Sequence, residues 1–291
     1  MEESVPLSRF TTIGTGGPAR FFAKPETIEE LHELLAWAAE RGIAVEPIGL
    51  GSNLLVADAG VDAVVVRLHG RLAEVRVDGT LLVAGGGAAN AVCLHRAREA
   101  GLAGFEFASA IPGTAGGGVR MNAGAYGREW RDVLLDAVVV SADGIRTMTV
   151  SDLDLGYRHS SLGPGEIVAE VSFRLDPGSS PATIKATAAE LLARRKETQP
   201  TNKRTFGSVF KNPSPERGAG RLIEECGLKG HRIGAALISP RHANFIENAG
   251  GATSAEALAL MAEARQRVFD RFGVALEHEV RLLGGLELPP L

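Results

Sequence analysis

The run I-P-G-T-A-G-G-G-V-R-M-N-A-G-A-Y-G, residues 111–127, constrains the fold more than any other part of the chain. Glycine loses the most backbone entropy on ordering and has no side chain to pack, so this density disfavours both an ordinary helix and an ordinary strand. Irregular, closely packed backbone is expected. It leaves main-chain N–H and C=O groups open to a flat ring or a pyrophosphate, and a structural bend is the alternative. A shorter glycine turn, G-L-G-S-N at residues 49–53, follows an apolar run. There, backbone N–H groups together with Ser52 and Asn53 could approach phosphate oxygens. The turn lacks G-x-G-x-x-G spacing, and a plain strand-to-loop connection explains it as well.

Around these turns the periodicity alternates between helix and strand. Thr27 and Glu30 form a capping box ahead of Ile28, Leu31, Leu34, Leu35 and Ala38, which predicts an amphipathic helix ending at Gly42. Strand-like runs at 44–48 and 61–68 make this a β-α-β unit. Further runs at 81–84, 134–140, 145–150 and 167–175 predict a sheet, with Asp143-Gly144 as a hairpin signal and a helix over 89–100 closed by Gly101. From Pro181 the pattern turns helical, with Ile184, Ala188, Leu191 and Leu192 on one face, a basic end at Arg194, Arg195 and Lys196, and a boundary at Gln199-Pro200. Thr253 and Glu256 cap a last long helix that stops at Gly273.

With 291 residues the chain has room for two or three domains, and a net charge of -4 lacks the excess expected of a nucleic-acid binder. Cys93 and Cys226 have neither disulfide-framework nor metal spacing and are expected to be buried, reduced thiols. The histidines show no H-E-x-x-H pair, so no metal is expected, and His159 and His242 read first as polar loop residues. Phe21, Phe22, Phe105 and Phe107 read as packing residues. The start M-E-E-S-V-P resembles no leader, and no apolar run reaches the roughly 18 residues of a membrane span, so a cytoplasmic protein without a membrane partner is expected.

Three residues could carry chemistry together: Arg158 in Y-R-H-S, Ser208 in G-S-V-F-K-N-P and Glu279 in E-V-R. A hydroxyl gives a proton, a guanidinium holds a developing anion, and a carboxylate polarises a substrate, which are the parts of a proton-coupled reduction. Ser208 has no adjacent histidine, which argues against a hydrolase nucleophile. Singly, each has a bland alternative: a loop serine, or a surface ion pair worth about 0–1 kcal/mol.

Taken in order, I-G-L-G-S-N, I-P-G-T-A-G-G, N-A-G-A-Y-G, Y-R-H-S, G-S-V-F-K-N-P, H-A-N-F-I and E-V-R-L-L-G strongly resemble the UDP-N-acetylenolpyruvoylglucosamine reductase family across nearly the whole chain. The resemblance implies an α+β fold, with a two-part FAD-binding region of the vanillyl-alcohol-oxidase/PCMH type and a C-terminal α/β substrate-binding domain. The implied divisions are 1–68, joined by 274–291, then 69–195 and 196–273. It also implies an NADPH-dependent flavoenzyme, a bacterial cytoplasmic monomer, that reduces UDP-N-acetylglucosamine enolpyruvate to UDP-N-acetylmuramate for peptidoglycan synthesis. Hydride passes from NADPH to flavin N5 and on to the enolpyruvyl β-carbon.

FAD is expected to be noncovalent, since 111–127 holds no cysteine or histidine tether. By the resemblance it lies against Gly49, Gly51, Ser52, Asn53, Leu54, Ile111, Pro112, Gly113, Gly116, Gly117 and Arg281, with its ring near Asn122, Gly124 and Ala125. Lys196, Asn212 and His242 match substrate-binding positions. Arg158 and Glu279 match residues that stabilise the enolic intermediate, and Ser208 matches the donor that protonates the α-carbon. The short link between Leu175 and Ile184 leaves no room for the tyrosine-bearing loop of the longer subclass, and Thr205-Phe206 replaces the usual small residues before Gly207. An oxidase on a related flavin fold and a non-enzymatic nucleotide-binding module are the competing readings.

Overall fold

The computed structural model describes residues 1–291. It divides into two compact units, one of Met1–Glu3, Phe21–Leu50 and Ala63–Arg195, the other of Ser4–Arg20, Gly51–Asp62 and Lys196–Leu291.

In the first unit, Thr27 Oγ1 accepts from the Glu30 amide at 3.1 Å and opens the helix Ile28–Glu40. That helix buries Leu31, Leu35 and Ala38 in a cluster with Val64, Val66, Val140, Ile167 and Ala169. Ala44–Pro47 pairs in parallel with residues 63–66, the order that a helix-to-strand crossover produces. An antiparallel sheet runs in the order Gly144–Thr149, Leu134–Ser141, Ile167–Arg174, Leu81–Gly85 and Val75–Asp78. The expected hairpin is present, with Ala142 and Asp143 in the turn and Gly144 at φ +148° as the first paired residue. Phe105 packs on Phe173 and Trp130 at 4.9 and 5.4 Å between ring centroids, in tilted and edge-on geometry that aromatic quadrupoles favour.

Two expectations need correction here. Residues 111–127 are not wholly irregular, because Ala115–Arg120 is an α-helix with Thr114 as its N-cap. Tertiary packing overrides glycine's poor helix propensity. A Cβ on Gly118 would stand 2.3 Å from Trp130 Cε2, and one on Gly116 would stand 3.0 Å from the carbonyls of Gly86 and Val168. The helix Pro181–Thr198 forms as expected, with Ile184 buried and Ala188, Leu191 and Leu192 of the same face half-buried. Cys93 is buried, which pushes its thiol up to about 12, whereas Cys226 is only half-buried.

The second unit carries an antiparallel sheet in the order Arg204–Ser208, Phe245–Asn248, Ala236–Ile238 and Arg232–Ile233. The helices Ala219–Glu225 and Ser254–Phe272 join it in one core that includes Phe206, Phe210, Leu260 and Met261. Thr253 and Glu256 form the reciprocal capping box read from the sequence, and the Asp58 carboxylate adds acceptors for the amides of Ser254 and Ala255 at 2.9 Å. Gly273 closes the helix at φ +64°. Arg281–Leu283 pairs in parallel with Leu54–Val56. No helix is long and apolar enough to cross a membrane.

Candidate active site

Within the second unit, backbone pairing gathers several of the expected residues. Ser208 ends the Arg204–Ser208 strand beside a register irregularity, with Gly207 at φ +83°. A Cβ on Gly207 would meet the Ser52 carbonyl at 3.1 Å, so the glycine permits close approach of that turn. Phe206 is fully buried in the core, and Thr205 Oγ1 accepts from the Gly207 amide at 3.2 Å. The substitution before Gly207 thus contributes to packing.

After Ser208, the Val209 carbonyl accepts from the Glu279 amide at 2.8 Å, and the Lys211 amide donates to the Glu277 carbonyl at 2.9 Å. The Glu279 carbonyl accepts from Asn53 Nδ2 at 3.1 Å, while the Arg281 amide donates to the Asn53 carbonyl at 3.0 Å. Gly51 takes φ +68°, and a Cβ there would stand 1.9 Å from the Phe10 carbonyl. Gly51, Ser52, Asn53, Leu54 and Arg281 therefore adjoin the backbone of Ser208 and Glu279. Ser208 and Glu279 are both half-buried.

The substrate-side expectations sit on separate elements of this unit. Asn212 is exposed, and its Oδ1 accepts from the Ala219 amide at 3.0 Å at the start of the Ala219–Glu225 helix. Lys196 is exposed and its carbonyl accepts from Arg241 Nη1 at 2.8 Å. His242 Nδ1 accepts from the Asn244 amide at 3.2 Å, and its ring meets Phe245 edge-on at 5.0 Å. Burial, and then Lys229, hold His242 below the usual imidazole range.

In the first unit, a Cβ on Gly49 would stand 2.8 Å from Thr114 Oγ1, which places the glycine against the cap of the Ala115–Arg120 helix. Asn90 Nδ2 donates to the Ile111 carbonyl and the Asn90 amide to the Gly113 carbonyl, each at 3.0 Å, with Gly113 at φ +153°. The amides of Gly116 and Gly117 are engaged by the Gly86 carbonyl and Thr114 Oγ1, so these glycines serve helix packing and capping.

Asn122 is fully buried at φ +38°. Its Nδ2 donates to Glu129 Oε2 and the Gly156 carbonyl at 2.9 Å, and its Oδ1 accepts from the Arg131 amide at 3.1 Å. Arg158 occupies a tight turn closed by mutual Gly156–His159 bonds of 3.1 and 3.2 Å, at φ +53°. Its Nη2 donates to the Gly124 carbonyl at 2.9 Å, and its guanidinium lies 5.0 Å from the Tyr157 ring centroid. Gly124 and Ala125 pair with Arg128 and Glu129 across a turn in which Tyr126 has φ +54°. Three non-glycine residues held at positive φ, Asn122, Tyr126 and Arg158, thus share this end of the unit, a pattern typical of functional sites.

Sequence reading missed the residues that hold these backbones: Asn90, Thr114 and Asn244. Thr114 carried a signal as a capping threonine, but the glycines after it obscured the helix it caps.

Residues 19–149 match the FAD binding domain family, and residues 199–283 match the C-terminal domain family of UDP-N-acetylenolpyruvoylglucosamine reductase. The fold is therefore that of an FAD-binding oxidoreductase, α+β, with a flavin region of the vanillyl-alcohol-oxidase/PCMH type and a C-terminal domain of its own. The chain is 46% identical to the UDP-N-acetylenolpyruvoylglucosamine reductase of Anaeromyxobacter dehalogenans over 98% of its own length and 85% of that protein. It is 44% identical to UDP-N-acetylenolpyruvoylglucosamine reductase 2 of Symbiobacterium thermophilum, over 96% and 91%. The crystal structure of UDP-N-acetylenolpyruvylglucosamine reductase from Thermus caldophilus superposes with a TM-score of 0.85 at 38% identity, covering 97% of this chain and 98% of that one. The chain belongs to the UDP-N-acetylenolpyruvoylglucosamine reductase family.

Proposed function

We propose that this chain reduces UDP-N-acetylglucosamine enolpyruvate to UDP-N-acetylmuramate with NADPH, as a monomeric bacterial cytoplasmic enzyme of peptidoglycan precursor synthesis. The observation that carries the reading is the set of bonds by which Asn53, in the Gly51–Asn53 turn, holds the Glu279 carbonyl and accepts from the Arg281 amide, while the Glu279 amide holds the carbonyl of Val209 beside Ser208, all inside one compact unit. An ordinary nucleotide-binding module has no use for a proton donor and a carboxylate at that turn.

The residues present fit FAD. Gly51 at φ +68° and Gly113 at φ +153° take backbone conformations that favour glycine, and 111–127 contains no cysteine or histidine for a covalent tether. Gly49, Gly51, Ser52, Asn53, Leu54, residues 111–113 and Arg281 would hold the cofactor noncovalently, with Gly124 and Ala125 nearest its ring and the buried Asn122 fixing the turn that carries them. Bound FAD supplies a two-electron carrier that takes hydride from NADPH and delivers it to the enolpyruvyl β-carbon.

Ser208 gives its hydroxyl proton to the α-carbon. Arg158 as a cation and Glu279 as a hydrogen-bonding acid stabilise the charge that develops on the enolic intermediate, an interaction strongest in the transition state. Lys196 meets substrate phosphate, and Asn212 and His242 bind the nucleotide. The three-part division at 68, 195 and 273 and membership of the shorter subclass belong to the same reading. The test is anaerobic: NADPH must bleach the bound flavin, and only the enolpyruvyl nucleotide must restore its oxidised spectrum. Denaturation must release the flavin. Reoxidation by oxygen alone, or no flavin binding, refutes the reading.

A further inference from the structure

Ser208 stands where its strand is least regular. Pairing with Phe245–Asn248 shifts between Thr205 and Ser208, and Gly207 lies at φ +83°. A regular ladder therefore does not by itself aim the Ser208 side chain. The bonds that do so come from Asn244, a residue with only 3% of its surface exposed. Its carbonyl accepts from the Val209 amide at 2.9 Å, its Oδ1 accepts from the Phe210 amide at 3.0 Å, and its Nδ2 donates to the Phe210 carbonyl at 2.8 Å. On the other side the Glu279 amide holds the Val209 carbonyl at 2.8 Å. A carboxamide that donates to and accepts from one residue reproduces the pair of bonds a neighbouring strand would make. Asn244 is held in turn by the bond from its own amide to His242 Nδ1.

We propose that Asn244 is a positioning residue for Ser208, its side chain and carbonyl fixing the two residues after the serine so that the hydroxyl is presented to the α-carbon; this rests on the reading of Ser208 as proton donor. Asn244 acts through the backbone and touches no reacting atom in this scheme. Proton delivery demands a heavy-atom distance of about 2.6–3.2 Å, and a shift of about 1 Å costs on the order of 10²-fold in rate. Losing the two carboxamide bonds to Phe210, two residues from the donor, is enough to permit such a shift, although the main-chain bond from Val209 to the carbonyl of residue 244 remains.

The experiment measures both half-reactions in FAD-loaded Asn244→Ala, Ser208→Ala and the double variant by anaerobic stopped flow. Asn244→Ala should leave flavin reduction by NADPH unchanged and slow reoxidation by the enolpyruvyl nucleotide about 10–100-fold. A larger solvent isotope effect on reoxidation should accompany the slowing. Adding it to Ser208→Ala should slow reoxidation no further, because the group it positions is gone. If alanine prevents folding, Asn244→Ser can keep one of the two Phe210 bonds, and the same selective slowing is expected. Four outcomes overturn the proposal: wild-type reoxidation in the folded variant, equal slowing of both half-reactions, a lowered melting temperature as the only defect, or additive slowing in the double variant. Wild-type reoxidation in Ser208→Ala alone overturns the proton-donor reading, and the proposal falls with it. A slow Ser208→Ala beside a fast Asn244→Ala removes only the role of Asn244.

Discussion

The carboxamide of Asn53 donates to the backbone carbonyl of Glu279 at 3.1 Å, so the turn assigned to the cofactor fixes the main chain of the residue assigned to the substrate. Glu279→Gln leaves this carbonyl in place. The variant should therefore fold, bind flavin and be reduced by NADPH as the parent is. Reoxidation by the enolpyruvyl nucleotide should fall about 10²–10³-fold, the usual loss when a group aimed at developing charge is removed. Stopped-flow traces of the two half-reactions check this, and near-normal reoxidation would place Glu279 outside the chemistry.

Gly118→Ala sets helix propensity against packing. Alanine gains about 1 kcal/mol over glycine in a helix interior, but here its Cβ would lie 2.3 Å from Trp130, which is wholly buried. Forcing a methyl into such a core costs about 1–3 kcal/mol. The variant should be less stable in a denaturant titration, with altered Trp130 fluorescence. A raised midpoint would mean that packing does not explain the glycine.

That helix also shows where sequence reading stops. The N-cap at Thr27, the capping box at Thr253 and the apolar stripes after them were legible because their signals are local, although the Glu30 carboxylate accepts from the Glu26 amide and so leaves the box expected at Thr27 half-formed. The Ala115–Arg120 helix was not, since its glycines are explained by Trp130, Gly86 and Val168, which only the fold brings near. The C-terminal sheet was equally hidden. Its strands are two to five residues long, and Phe245–Asn248 is buried at every position, so it lacks the alternation that marks a half-exposed strand. The Val75–Asp78 edge strand is largely exposed and carries little apolar signal. Ser208, Arg158 and Glu279 were legible as chemistry-bearing types in ordered motifs. Asn244 was not, because a residue that works by holding someone else's backbone has no compositional mark.

Lys196→Ala separates a ligand contact from a structural one. The carbonyl of residue 196, which accepts from Arg241, survives the substitution, so fold and flavin content should be retained. Removing a charge-assisted contact to a phosphate should cost about 1.5–3 kcal/mol of nucleotide binding. The Michaelis constant for the enolpyruvyl nucleotide should rise accordingly, with that for NADPH less affected. An unchanged constant removes Lys196 from the substrate site.

His242 gives stability a pH dependence of known sign. Burial and Lys229 lower its folded pKa, and its Nδ1 accepts from the Asn244 amide, so the native state favours the neutral ring. In the unfolded chain the ring titrates near the ordinary value of about 6.5. Between the lowered native value and that point the unfolded state binds the extra proton. The contribution is complete above about pH 6.5 and is lost as pH falls through the folded pKa. Urea midpoints measured from mildly acidic to neutral pH should fall with acidity in the parent. The fall should be shallower in His242→Gln, and parallel curves would show that another group carries it.

Ser208→Ala tests the reaction itself. The hydroxyl makes no contribution to the backbone pairing of its neighbours, because Val209 and Phe210 are held by Asn244 and Glu279 through main-chain and carboxamide groups. The variant should therefore fold and be reduced by NADPH at the parent rate. On the proposed reading it lacks the proton for the α-carbon, and reoxidation by the enolpyruvyl nucleotide should fall by about 10²–10⁴, the range for a positioned general acid. Slow residual turnover should draw its proton from solvent, with loss of facial control at the α-carbon. Product configuration in deuterated water therefore reports the donor independently of rate. Parent-like reoxidation with unchanged configuration would make Ser208 a loop residue and require another proton source.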